Sequence, residues 1–186
     1  MTRIFIALLA LLGSALAAEG REPLDWAWYK NPRHGFQLSY PSSLFTLERR
    51  SRGGDGELFV SPDGEARLLV GVVPNADGHD LGSYQELVAR RSYNGFRITY
   101  QRRGGGWFVL SVLDGERIFY EKVFLGCQGR VFTSFALVYP TRSRALYDPI
   151  VERIEQTFAP GRRSCVIENV EASPPPGPRP SRGVQD

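Results

Sequence analysis

The chain has 186 residues, of which 42% are hydrophobic, 23% charged and 12% aromatic, with a formal charge of +3. This is the composition of one globular domain with a core; it excludes a wholly disordered chain, a collagen-like repeat, a coiled coil and a polytopic membrane protein. With 2 His and 2 Cys, most metal centres and nucleophile–base sites start short of parts, and so small a positive charge gives no reason to expect nucleic acid as a partner.

The first segment reads as an export signal. Thr2-Arg3 is a short basic start, an apolar run follows from Ile4 to Leu12, and Ala15-Leu16-Ala17 fits a cleavage site of small residues. The apolar stretch, about fourteen residues, is shorter than the roughly 20 a bilayer span needs. Cleavage of residues 1–17 is expected, giving a periplasmic or secreted bacterial protein with no integral membrane segment. No Cys stands near the cut to carry a lipid, and no Arg pair precedes the apolar run. Arg3 leaves with the signal, so +3 becomes +2.

Strands separated by turns come next. Residues 34–40 alternate, with Phe36, Leu38 and Tyr40 on one face, and Pro41 stops the run. The triplet Asp-Gly-Glu occurs at 55–57, 63–65 and 114–116, and all three read as turns, since Asp and Gly tolerate positive φ. None has the alternating oxygen ligands of a calcium loop. Residues 57–60 and 66–73 flank Ser61-Pro62-Asp63-Gly64 as a hairpin. Asp80 can cap a helix over 81–89, with Leu81, Tyr84, Leu87 and Val88 as its buried stripe. Further strands are expected at 96–100, 107–113, 118–124 and 131–139, the last three apolar on both faces and hence central. A second helix is marked by Leu146, Ile150, Ile154 and Phe158, with Asp148-Pro149 read as lying in its first turn. The order predicts an α+β domain over residues 25–168, a mainly antiparallel sheet covered by helices.

The chain closes with five prolines between Ala172 and Pro180, a composition that cannot repay the entropy of folding, so residues 171–186 are expected to form a disordered Pro-rich tail. Both cysteines fall in the exported part. Cys127 lies in the last hairpin turn and Cys165 just past the second helix; an even pair in an oxidising compartment predicts a disulfide, and closing a loop of about 39 residues would contribute roughly 4 kcal/mol.

In its order of elements the chain resembles the PsbP-type family, an α/β/α sandwich named for an extrinsic photosystem II subunit, as it occurs in exported bacterial proteins. The resemblance rests on Asn31-Pro32-Arg33-His34-Gly35-Phe36, Tyr40-Pro41, Ser61-Pro62-Asp63-Gly64, Ile98-Thr99-Tyr100 and Trp107-Phe108-Val109-Leu110-Ser111. It continues through Tyr120-Glu121-Lys122, Tyr139-Pro140 and Tyr147-Asp148-Pro149-Ile150-Val151. These motifs are specific for fold and not for activity. They imply a non-catalytic accessory or binding domain and carry over no functional residue.

Chemistry is harder to find. The sequence holds no G-x-S-x-G, H-E-x-x-H, phosphate loop or dinucleotide fingerprint, and no cofactor is expected. Ser111, His34 or His79, and Asp80 or Asp114 supply single members of a Ser-His-Asp site, which leaves a small envelope hydrolase as the alternative reading. Of 23 basic residues only Lys30 and Lys122 are lysines. Arginine forks suit carboxylates and phosphates, so Arg90, Arg91, Arg102 and Arg103, which flank one helix-to-strand connection, are the candidate members of an anion-reading patch. Trp26 and Trp28, ahead of the first expected strand, and Trp107 are candidate contact aromatics. The partner expected is an envelope protein or an anionic envelope component.

Overall fold

Short turns dictate antiparallel pairing, and every strand pair in the structure is antiparallel. A computed structural model describes residues 23–161 and Cys165; the expected signal and Pro-rich tail lie outside the described residues. In chain order the elements are β1 (Trp26–Lys30), β2 (Gln37–Pro41), β3 (Thr46–Arg50), β4 (Gly56–Val60), β5 (Arg67–Pro74) and α1 (Leu81–Ser92). They are followed by β6 (Arg97–Arg103), β7 (Trp107–Asp114), β8 (Arg117–Gly126), β9 (Val131–Pro140) and α2 (Arg144–Thr157). β1 and β2 form a separate hairpin, and the other strands make one seven-stranded sheet in the order β3-β4-β5-β9-β8-β7-β6. Two meanders therefore meet at a single seam, where β5 pairs with β9.

Two of the three Asp-Gly-Glu triplets turn as expected, with Gly64 and Gly115 at φ +74° and +52°. The third is corrected. Gly56 opens β4 instead of turning, opposite Gly71 of β5, and a Cβ there would stand 2.9 Å from the Val70 carbonyl. Close approach of two strands is what demands a glycine at this position.

The alternation of side chains sends each strand's apolar residues to two separate cores. On one side of the sheet, Phe59, Leu68, Val70, Phe135 and Leu137 pack with Phe36 and Leu38 of the hairpin and with Ile150 and Ile154 of α2. On the other, Phe108, Leu110, Val112, Phe119 and Phe132 pack under Val88 and Tyr93 of the α1 segment. Each such side chain contributes about 1.5–3 kcal/mol when fully buried. α1 begins as expected, with Asp80 accepting from the Ser83 N–H at 2.7 Å. Its buried face differs, however. Gln85 is buried and Leu87 stays outside the cluster, because the Gln85 Oε1 takes the Arg103 guanidinium at 2.8 Å.

α2 also starts earlier than its sequence suggested. Its first residue is Arg144, so Pro149 sits inside the helix, and Asp148 does not cap. Asp148 accepts instead from the Tyr139 hydroxyl at 2.7 Å, tying the helix to β9. After α2 the chain bridges to β2, with Gln37 and Ala159 exchanging backbone bonds of 3.0 and 2.9 Å. It then passes so close to His34 that a Cβ on Gly161 would meet its carbonyl oxygen at 2.0 Å. This route brings Cys165 to Cys127 at disulfide distance, Cα atoms 4.9 Å apart across 38 sequence positions. Among the described residues no helix is long and apolar enough to cross a membrane.

Candidate functional site

Each helix covers only half of the sheet face it packs on, so two half-faces are left open on opposite sides. The first lies beside the C-terminal end of α1, over β3, β4, β5, β9 and the near part of β8. Here the register sets Arg49, Leu58, Leu69, Ala136 and Glu121 in one row across five strands. Four inter-strand steps make the row about 19 Å long. In the next row Arg67 stands between Val60 and Val138, followed by Phe119. Leu58, Leu69, Ala136 and Val138 are all half-buried, since no described residue covers them fully. The result is a groove of about 510 Å³, walled by Ser92 and Tyr93 on one side and by the β4–β5 turn and Arg142 on another.

Its polar groups converge on an apolar floor. Tyr93 donates its hydroxyl to Glu121 Oε2 at 2.7 Å. Burial raises the Glu121 carboxyl from 4.5 to about 6, against the opposing pull of the Tyr93 hydrogen bond. Burial, reinforced by the nearby Glu121 charge, holds the Tyr93 phenol protonated well above its usual range, so it remains a donor. At the rim, Arg142 pairs with Glu65 and Arg117 with Asp114 at 2.7 Å. Among the described residues that leaves Arg49, Arg67, Glu116 and the second oxygen of Glu121 without a side-chain bond of their own. An apolar trough with a few converging polar groups and a perturbed carboxyl is the usual form of a binding site.

The opposite open half-face lies over β6, β7 and β8 on the α2 side. Lys122 sits 2.9 Å from Glu155 of α2, and the Tyr120 hydroxyl donates to the same carboxylate. The Lys122 ammonium also lies 5.0 Å from the Trp107 ring centroid and Arg102 lies 6.0 Å from it. Trp107, a candidate contact aromatic, thus forms a half-buried cover under cations.

The four candidate arginines do not gather. Arg103 turns to the α1 side to meet Gln85, whereas Arg102 turns to the α2 side over Trp107. Adjacent strand residues point to opposite faces, so a pair on a strand cannot make one patch. Arg90 is exposed and pairs with Glu86 at 3.8 Å, and Arg91 is exposed beside it. Trp28 is 66% exposed, while Trp26 is half-buried with the Arg153 guanidinium 4.0 Å from its ring centroid.

The expected Ser-His-Asp members also stand apart. The Ser111 hydroxyl lies 3.3 Å from Thr99, His34 is buried against Asp55 at 2.7 Å, and Asp80 is the cap of α1. A different set does adjoin. His79 Nδ1 is 3.1 Å from the Ser83 hydroxyl, and its Nε2 is 3.9 Å from the exposed Asp77, beside a hollow at the start of α1 lined by Gly82, Glu86 and Arg103. The Ser83 N–H there is already taken by Asp80. Among the described residues no cluster of three or more His, Cys, Asp or Glu is placed to hold a metal.

No protein-family model and no curated protein matches the chain. Solved structures do. Cyanobacterial PsbP (CyanoP) from Synechocystis superposes with a TM-score of 0.54 at 16% identity, covering 80% of this chain and 99% of that one. The Ran-binding protein Mog1p of Saccharomyces cerevisiae does so with 0.54 at 12% identity, covering 74% of this chain and 96% of its own. The chain thus has the PsbP/Mog1-like α+β fold, a mostly antiparallel sheet between two helices.

Proposed function

We propose that the chain is an exported, non-enzymatic accessory or binding module that holds an envelope protein or an anionic envelope component in the groove beside α1. One observation carries this reading: an apolar floor left uncovered by any helix, with Arg49, Arg67 and one oxygen of Glu121 unengaged above it. Arg49 and Arg67 are exposed and met by water, so their forks are available to an anionic group of a ligand. The paired cysteines and the signal-like start support export. CyanoP and Mog1p share the fold, and Mog1p is by its name a Ran-binding protein.

Ala136→Trp fills the middle of the floor and tests the reading. Envelope components that co-purify with the wild type should be lost from the variant while its melting temperature holds within a few degrees. Equal recovery would remove the groove from the function. The second reading, a small hydrolase, rests on the Ser83–His79–Asp77 row. A fluorophosphonate label that disappears in Ser83→Ala would favour it; labelling of neither protein favours the binding module.

A further inference from the structure

The groove is polarised along its length. Glu121 closes one end of the row and Arg49 the other, with Leu58, Leu69 and Ala136 between them; Arg67 and Val138 stand alongside in the next row, Arg67 on the middle strand β5. Because these floor residues are half-exposed, a molecule lying on them keeps one side in water. That suits a polypeptide, whose backbone amides need water or partners, better than a ligand that must be fully enclosed. A length of about 19 Å corresponds to five or six residues of extended chain. The charges select the sense of the match, a cation for Glu121 and an anion for the arginines. The rim charges already paired, Arg142 with Glu65 and Arg117 with Asp114, take no part in it.

We infer that the groove takes an extended peptide segment of a partner protein, laid across the strands with a lysine or arginine at Glu121, an acidic residue at the Arg49 end, on the side of the row that Arg67 flanks, and apolar residues between. The inference rests on reading the chain as a binding module and specifies what it binds. Tyr93 orients the carboxylate by holding Oε2, leaving the other oxygen to the incoming cation. Charged and titratable groups near Glu121 are Tyr93 and Tyr84 from the α1 segment and Arg117 on its own strand, with Arg67 two strands away on β5 and Arg49 at the far end of the row; β9 presents only Ala136 and Val138. Affinity therefore falls as the pH drops through about 6 and Glu121 gains its proton.

The test uses fluorescently labelled, end-capped heptapeptides, one with lysine and glutamate at its two ends separated by five residues, apolar where they face the floor, and two in which either the lysine or the glutamate is glutamine. The wild type should bind the first in a saturable manner at pH 7.5. Glu121→Gln should weaken that peptide about tenfold and leave the lysine-free version unchanged, while Arg49→Ala with Arg67→Ala should do the same for the glutamate. Tyr93→Phe removes the bond that favours the charged carboxylate, so the pH midpoint of binding should move upward, which a merely structural role would not produce. Absence of saturable binding, equal affinity for the lysine and glutamine peptides, or insensitivity to Glu121→Gln would overturn the inference. If peptides fail while Ala136→Trp still abolishes envelope recovery, only the peptide assignment falls; if both fail, the binding-module reading falls with it.

Discussion

The two open half-faces of the sheet are similar in position and opposite in state. On the α2 side Lys122, Glu155, Tyr120, Trp107 and Arg102 answer one another, so the surface is polar and aromatic yet complete. On the α1 side the floor is apolar, and Arg49, Arg67 and one oxygen of Glu121 have no side-chain partner among the described residues. Exposure alone would not separate them, since both carry large apolar groups and arginines. What separates them is whether the polar side chains are paired with one another among the described residues: on the α2 side they are, and on the α1 side they stay open to water or to a ligand.

The comparison can be broken from several directions. Reduction of the Cys127–Cys165 link has the largest expected effect, a loss of about 4 kcal/mol in urea unfolding. The link sits at the Gly126–Val131 end of β8 and β9, away from the groove at the Arg117–Pro140 end, so peptide affinity should stay within twofold. A drop in affinity would mean the groove depends on the staple. Next come two neighbours on β5: Leu68 is fully buried under α2 and Leu69 lies on the groove floor. Leu68→Ala should cost about 3 kcal/mol and Leu69→Ala about 1, and equal costs would show that the groove is closed in solution.

Glu121→Gln should work in the other direction. A folded carboxyl raised from 4.5 to about 6 binds more protons than the unfolded chain within that window, so stability falls as pH rises through it. The penalty is fully present above pH 6 and absent below 4.5. Allowing for partial solvent contact, the variant should gain about 1–2 kcal/mol at pH 7 and nothing at pH 4, read from thermal melts at the two values. Smallest is Glu155→Gln, which strips Lys122 and Tyr120 of a charged partner and should cost about 1 kcal/mol. If it also created peptide binding on that face, the difference between the half-faces would be confirmed by conversion.

Much of the fold could be read directly from the residues. Ser61-Pro62-Asp63-Gly64 announced the β4–β5 hairpin, and runs apolar on both faces, bounded by turns, marked β7, β8 and β9. β3 was missed because Thr46–Arg50 is exposed on both faces, as an edge strand protected by charge can be, and so shows no alternation. β1 was passed over because Trp26 and Trp28 looked like a contact patch; they share one side of a strand that pairs with β2. Pro149 misled the start of α2, since proline in a helix interior is uncommon and the Asp148 side chain had a better partner in Tyr139. The groove lay half visible. Glu121 stands between Phe119 and Val123 on one face of a strongly apolar strand, which is the mark of a buried carboxyl, but its place at the opposite end of one row from Arg49 depends on pairings that only the assembled sheet provides.

The seam between β5 and β9 has a kinetic meaning as well. Each meander can form from neighbours in sequence, whereas joining them closes a loop of about sixty residues, the slowest and most entropically costly step available to this sheet. The groove floor is drawn from both sides of that seam, Leu58 and Leu69 from one meander and Ala136, Val138 and Glu121 from the other. Whatever occupies it clasps the two halves together, so a bound partner acts chiefly on the unfolding rate, and a bound chain should outlast a free one in the presence of proteases.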